Sequence, residues 1–209
     1  MNEIQQLQLY GFCTIAGAYE VNSLSNECLR MFDKLSSNVV DANENEVLNH
    51  ALNACPIVKN IVEALIGTEH TRTASFKRTL PNDTSFSCTY HVHCDETESL
   101  ALDNYNNRLR KSPHVPCMIN SIITLTDFTA DNGFGVIPMS HHSPFLKRHQ
   151  FLTAVDPVVE NDFLFPVIAP AGSVILWDNR LWHAQLPNKT DESRLNINVS
   201  YFAKWWRNY

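Results

Sequence analysis

Arg194-Leu195-Asn196-Ile197-Asn198-Val199-Ser200-Tyr201 alternates between polar and apolar side chains without a slip. Successive residues of a strand point to opposite faces. Arg194, Asn196, Asn198 and Ser200 therefore share one side, and Leu195, Ile197, Val199 and Tyr201 the other. The apolar side has to be covered. The polar side either meets solvent, as in a half-buried antiparallel sheet, or converges with other polar faces on an interior cavity. The same division recurs upstream. In 86–95, Ser87, Thr89, His91, His93 and Asp95 oppose Phe86, Cys88, Tyr90 and Val92. In 118–126, Asn120 and Thr124 flank Ile122, against Ile119, Ile123 and Leu125.

Working outward, short β-branched and aromatic runs punctuated by Asn, Pro, Asp and Gly predict strands at 71–79, 86–93, 118–127, 133–137, 163–169, 173–177, 181–185 and 194–203. Residues 20–68 read as helix. Asn22-Ser23-Leu24-Ser25 supplies N-cap residues, Cys28, Leu29, Met31, Phe32 and Leu35 follow at helical spacing, and Pro56 and Gly67 restart and stop the pattern. The expected architecture is mostly β, one domain over 1–209. Residues 1–68 form a mainly helical support packed on one sheet, and 69–209 a jelly-roll core. The stretches 96–117 and 139–162 are long for plain connections, the length at which loops tend to be functional.

Composition narrows the function. The 209 residues carry a formal net charge of −6, a poor match to the basic field that a nucleic-acid binder needs. The cysteines, Cys13, Cys28, Cys55, Cys88, Cys94 and Cys117, include no C-x-x-C pair, so a zinc ribbon or thioredoxin-like motif is excluded. No signal-peptide pattern opens the chain and no long apolar run interrupts it. A cytoplasmic protein with reduced thiols and no membrane partner is the expectation. The unusual count is 21 Asn and 9 His among few charges, which suits a polar interior.

His93-Cys94-Asp95 places two metal-ligating side chains on one face of a strand, with a third ligand to come from a later His. Two imidazoles and a carboxylate on one face of an ion leave open positions, the arrangement of non-haem Fe(II) oxygenases. His91-x-His93 is a competing pair on the same face. An Arg in a cavity calls for an anion, and a dicarboxylate would pair with it bidentately.

Several further signals occur in order. Asp127-Phe128-Thr129-Ala130-Asp131-Asn132-Gly133 precedes Pro138-Met139-Ser140-His141. Then come Ala171-Gly172-Ser173-Val174-Ile175-Leu176-Trp177-Asp178, Leu181-Trp182-His183 and Arg194. With H-x-D and the opening Tyr10-Gly11-Phe12-Cys13-Thr14-Ile15, similar to the family's first strand, the chain resembles, along nearly its whole length, the phytanoyl-CoA dioxygenase family of Fe(II)/2-oxoglutarate oxygenases. The resemblance implies a double-stranded β-helix, cupin-like, and the use of Fe(II), O2 and 2-oxoglutarate. It implies His93, Asp95 and His183 as iron ligands and no catalytic residue beyond them. Arg194 would hold the distal carboxylate of 2-oxoglutarate, with Asn120 and Gln185 as further co-substrate positions. Gln185 stands where the family commonly has a small hydroxyl residue. Met139 replaces the usual Gly before Ser-His, so the loop is expected to avoid a left-handed backbone.

The implied reaction hydroxylates a C–H bond of a small molecule, an amino acid, metabolite or acyl compound, and releases succinate and CO2. Asp95 argues against a halogenase, which lacks that carboxylate. Ser200 stands where nucleic-acid demethylases of this class carry a second Arg. Lys77, His91 and His141 are candidate substrate contacts, as is Arg78. The rival reading is a cupin-like metal-binding isomerase, a zinc hydrolase or a non-catalytic sensor.

Overall fold

The computed structural model describes residues 1–83, 116–142 and 164–204. Four helices are present among them: α1 (Glu3–Tyr10), α2 (Val21–Leu35), α3 (Glu46–Asn53) and α4 (Pro56–Ile66). Nine strands accompany them: β1 (Phe12–Ile15), β2 (Val39–Asp41), β3 (His70–Thr79), β4 (Met118–Thr124), β5 (Phe134–Val136), β6 (Phe165–Val167), β7 (Val174–Asp178), β8 (His183–Gln185) and β9 (Arg194–Ala203). The predicted strand 86–93 lies outside the described residues, as do most of the two long connections.

The strands form two antiparallel sheets. The larger runs β1-β7-β4-β9-β3-β2 and the smaller β6-β5-β8. The alternation of β9 decides how they stack. Leu195, Ile197, Val199 and Tyr201 join a core with Phe76, Ile119, Ile123, Val174 and Leu176, and the helices close over it with Leu7, Leu24, Cys28, Phe32, Leu48, Leu52, Ile61 and Val62. The helices thus cover one face of the larger sheet. Its other face meets the smaller sheet through Ile122, Ile175 and Trp177 against Phe134, Val136 and Val167. Each buried Leu, Ile or Phe contributes about 1.5–3 kcal/mol, so the helix-side core carries much of the stability.

Several expectations need correction. Residues 20–68 are not continuously helical, because Val39–Asp41 pairs antiparallel with β3, Val40 opposite Phe76. The cap of α2 is Glu20, whose carboxylate accepts from the Asn22 and Ser23 N–H groups, rather than a residue of Asn22–Ser25. Tyr10 and Gly11 are not strand: Tyr10 ends α1, and Gly11 caps it at φ 86° before β1. Met139 adopts φ 67°, the left-handed backbone its side chain was expected to forbid. Its N–H donates to Tyr10 O at 2.8 Å, and Ser140 and His142 close the following 3-10 turn onto Ile137 and Met139. These fixed bonds hold a conformation that costs an L-residue about 1–2 kcal/mol.

Cys13, Cys28, Cys55 and Cys117 are buried free thiols. Burial pushes Cys13 and Cys28 up to about 12, which leaves both protonated and unreactive at neutral pH. No described helix is long and apolar enough to cross a membrane.

Candidate active site

The inner face of the larger sheet is a grid whose rows follow from the pairing register. One row is Phe12, Trp177, Asn120, Ser200 and Thr73, across β1, β7, β4, β9 and β3. The next is Thr14, Ile175, Ile122, Asn198 and Ser75. Thr124, Asn196 and Lys77 follow, then Arg194 opposite Thr79. The grid is largely apolar along β1 and β7 and polar along β9 and β3. The polar residues that the alternation left between solvent and cavity therefore face the smaller sheet. Asn120, Asn196 and Arg194 are buried there, Asn198 and Ser200 partly so.

His183 opens β8 opposite Val136 of β5 and is 3% exposed. Its Nδ1 lies 2.8 Å from Leu181 O. A carbonyl only accepts, so Nδ1 carries a proton, and in the neutral ring this puts the lone pair on Nε2, the form in which imidazole ligates a metal. Phe134 and Trp177 hold the ring, with centroids 5.4 and 5.1 Å away. Trp177 is the register partner of Asn120, so Asn120 and His183 share a neighbour.

The turn before His183 is pinned from several sides. Trp182 N donates to Ser140 Oγ at 2.9 Å, and Ile137 N to Trp182 O at 2.8 Å. Leu181 N donates to Asp178 O, and Arg180 forms an ion pair with the Asp178 carboxylate at 2.6 Å. Gly11 presses on the same turn: a Cβ there would stand 2.5 Å from Leu181 Cδ1 and 2.6 Å from His141 Nδ1. The P-x-S-H motif thus serves as a brace for the turn that presents His183.

Among the described residues Arg194 is the largest fully buried side chain. Its Nη1 donates to the main-chain oxygens of Asn132, Gly133 and Leu186 at 2.6, 3.0 and 2.7 Å. Its Nη2 donates to Thr79 Oγ1 at 2.8 Å and Gln185 Oε1 at 3.0 Å. The Phe128 ring centroid lies 5.8 Å from the guanidinium carbon. Each of these acceptors is neutral, so they satisfy hydrogen bonds without cancelling the positive charge that Arg194 brings into a low-dielectric interior.

The Asp127–Gly133 motif builds this cradle. Asn132 Oδ1 accepts from Thr129 N and Oγ1, while its Nδ2 donates to Asp127 O. Asp127 accepts from Ala171 N at 2.7 Å. A Cβ at Gly133 would meet Thr129 O at 2.6 Å, so only glycine lets the two carbonyls turn toward Arg194.

Of the remaining sequence candidates, Gln185 touches Arg194 directly and Lys77 stands half-buried on the inner row with Asn196. Arg78 lies on the helix side, its guanidinium 4.9 Å from the Phe32 ring centroid. His141 is set apart. Its Nε2 donates to Gln8 O at 3.1 Å, and it lines an open cavity of about 460 Å³ with Leu7, Ala64, Leu65, Asp178 and Arg180. His91, His93 and Asp95 lie outside the described residues. Among the described residues no three His, Cys, Asp or Glu side chains gather as a metal site. Sequence reasoning missed Thr79, Ser140 and the carbonyls of Asn132, Gly133 and Leu186. A Gly beside an Asn-capped turn was the available signal for two of those carbonyls.

The comparisons with known proteins agree with this frame. A family model described as phytanoyl-CoA dioxygenase matches residues 11–196. HygX from Streptomyces hygroscopicus, solved with nickel and 2-oxoglutarate bound, superposes with a TM-score of 0.76 at 15% identity, over 97% of this chain and 86% of its own. The α-ketoglutarate-dependent carbocyclase SnoK from nogalamycin biosynthesis gives 0.67 at 18% identity, over 96% and 82%. The epimerase SnoN, in complex with Fe3+, α-ketoglutarate and nogalamycin RO, gives 0.67 at 14% identity, over 96% and 82%. At these identities the likeness is one of fold.

Proposed function

Since this chain belongs to the phytanoyl-CoA dioxygenase family, and is thereby an enzyme that uses non-haem iron and 2-oxoglutarate, we propose that it oxidises a C–H bond of a small molecule, releasing succinate and CO2. In this reading the two facing sheets are the described part of a double-stranded β-helix. His93, Asp95 and His183 hold Fe(II), and Arg194 receives the distal carboxylate of 2-oxoglutarate. When bound, the iron supplies the oxidative chemistry with O2 and the co-substrate. The protein's part is to orient the reactants and exclude water.

The observation that carries the reading is His183 itself, buried and fixed by Leu181 O in the tautomer that presents Nε2. Phe134 and Trp177 allow the ring little room to turn. Asn120, which pairs with the Trp177 that also packs on His183, is the further co-substrate candidate. Lys77, with Asn196, Asn198 and Ser200, supplies a polar wall for the substrate. His91 remains a candidate contact on the substrate side, whereas His141 is engaged with α1 away from the grid, and the apolar β1–β7 half suits a carbon skeleton.

Hydroxylation is the simplest outcome, and the carbocyclase and epimerase of similar fold make the product the quantity to determine. Anaerobic addition of Fe(II) and 2-oxoglutarate is expected to give a weak visible charge-transfer band. His183→Ala should abolish it and lower succinate release at least ~1000-fold, equivalent to about 4 kcal/mol in the barrier. A wild-type protein with neither band nor succinate release would overturn the proposal. Activity with Zn(II) that is indifferent to O2 would favour a hydrolase instead. Succinate release stimulated by candidate metabolites identifies the substrate.

A further inference from the structure

Five described acceptors surround the Arg194 guanidinium, and they differ in one respect that bears on the co-substrate. The Asn132, Gly133 and Leu186 carbonyls belong to main chain locked by the smaller sheet, where Leu186 N donates to Gly133 O at 3.0 Å and Gln185 pairs with Phe134. Thr79 Oγ1 sits on a short, buried side chain of β3. Gln185 is different. It is a long side chain, only partly buried, resting its Oε1 on Nη2 of an arginine that is itself 1% exposed. It alone combines reach with a route toward water.

A carboxylate arriving at Arg194 needs N–H groups, and Nη1 is already engaged with three carbonyls that cannot leave without moving β5 and β8. Of the Nη hydrogens that the described residues hold, the one held by a long, partly exposed side chain is on Nη2, at Gln185. Two acceptor oxygens cannot both take it at full strength, so a carboxylate that uses it displaces the amide. We propose that Gln185 is a latch over Arg194 that weakens binding of 2-oxo acids carrying a distal carboxylate, making it a specificity-determining residue for the co-substrate. The inference rests on the reading that Arg194 receives that carboxylate. A charge-assisted hydrogen bond must be given up on entry, and a side chain too short to reach Nη2 removes the competitor.

The test is calorimetric titration of the Ni(II)-loaded protein with 2-oxoglutarate and, separately, with 2-oxobutyrate, which has the same 2-oxo acid head but no distal carboxylate. Gln185→Ser is expected to tighten 2-oxoglutarate about five- to twentyfold and to change 2-oxobutyrate less than about twofold. Gln185→Ala should reproduce that pattern, tightening 2-oxoglutarate and leaving 2-oxobutyrate nearly unchanged, and guards against an effect peculiar to Ser. Unchanged or weaker 2-oxoglutarate binding in both variants overturns the latch, as does an equal change for the two acids. Arg194→Ala separates that failure from failure of the underlying reading. If it erases the preference for 2-oxoglutarate while the Gln185 variants are silent, only the latch is wrong. If it leaves the preference intact, Arg194 is not the carboxylate site and both proposals fall.

Discussion

Leu195 and Asn196 are neighbours on β9, both buried, and their surroundings have nothing in common. Leu195 points to the helix-side core, and Ile197, Val199 and Tyr201 follow it there. Asn196 points between the sheets, one register step from Arg194 and opposite Lys77 and Thr124. Its Nδ2 donates to Asn198 Oδ1 at 2.6 Å, while its own Oδ1 meets no hydrogen-bond donor among the described residues. Burial alone therefore does not separate scaffold from site. On the outer face burial stabilises through apolar area. On the inner face it raises the cost of every polar atom that lacks a partner, so the same depth that steadies one face makes the other receptive to a polar ligand.

The strongest way to break that comparison is to damage the outer face alone. Phe76 of β3 is fully buried in the helix-side core and pairs with Ile197. Phe76→Ala is expected to cost about 3–5 kcal/mol of unfolding free energy, read as a fall in the urea midpoint. Calorimetry on the protein that remains folded should give an unaltered affinity for 2-oxoglutarate. A loss of affinity that tracks the loss of stability would show that the two faces are not independent.

A smaller effect is expected where scaffold and site meet. Ser140 and Trp182 are both buried, and Ser140 Oγ accepts the Trp182 N–H one residue before His183. Ser140→Ala leaves that N–H without its acceptor, at a cost of about 1–3 kcal/mol. It should also loosen the ring that presents Nε2, weakening Mn(II) or Ni(II) binding by roughly tenfold in equilibrium dialysis. Lost stability with full metal affinity would assign Ser140 to the scaffold and leave the Leu181 carbonyl as the main orienting group for His183.

What was legible in the sequence follows the same division. The alternation of β9 and the apolar runs of β4 and β7 announced strands and faces, because burial on one or both sides dictates residue type at every position. Strand β2 was not legible. Val39-Val40-Asp41 becomes a strand through its partner β3, more than thirty residues away. Helix α1 was also missed, since Leu7 is its only buried side chain and a Gln-rich surface leaves no apolar stripe. The Arg194 cradle was half legible: Arg194 and Asn132-Gly133 stand out by type, but the acceptors are main-chain oxygens, which every residue has. Met139 shows how a local rule yields to fixed hydrogen bonds. Its left-handed backbone is held by the Tyr10 carbonyl and the 3-10 turn that follows, neither of which its neighbours in sequence reveal.

The smallest expected effect sharpens the boundary between the faces by pH. His141 follows Ser140 in the brace, and its Nε2, at 3.1 Å, shares Gln8 O of α1 with His142 Nε2, at 2.8 Å, so two rings tie the His183 turn to the helical layer. Burial holds His141 below its ordinary value of 6.5. The carboxylate of Asp178 and the bond to Gln8 pull it back up, and His142 and Arg180 oppose them. Between the depressed value and 6.5 the unfolded chain therefore binds a proton that the native protein does not. The contribution of His141 to stability is complete above about pH 6.5 and declines as the pH falls through that window. His141→Gln keeps a side-chain donor for the Gln8 carbonyl but does not titrate. Urea midpoints measured from pH 7.5 down to 5.5 should fall less steeply in this variant than in the wild type. Parallel profiles would mean that protonation is accommodated without loosening the brace, and the tie between α1 and the His183 turn would then rest on His142, Gly11 and the Met139 N–H bond to Tyr10 O.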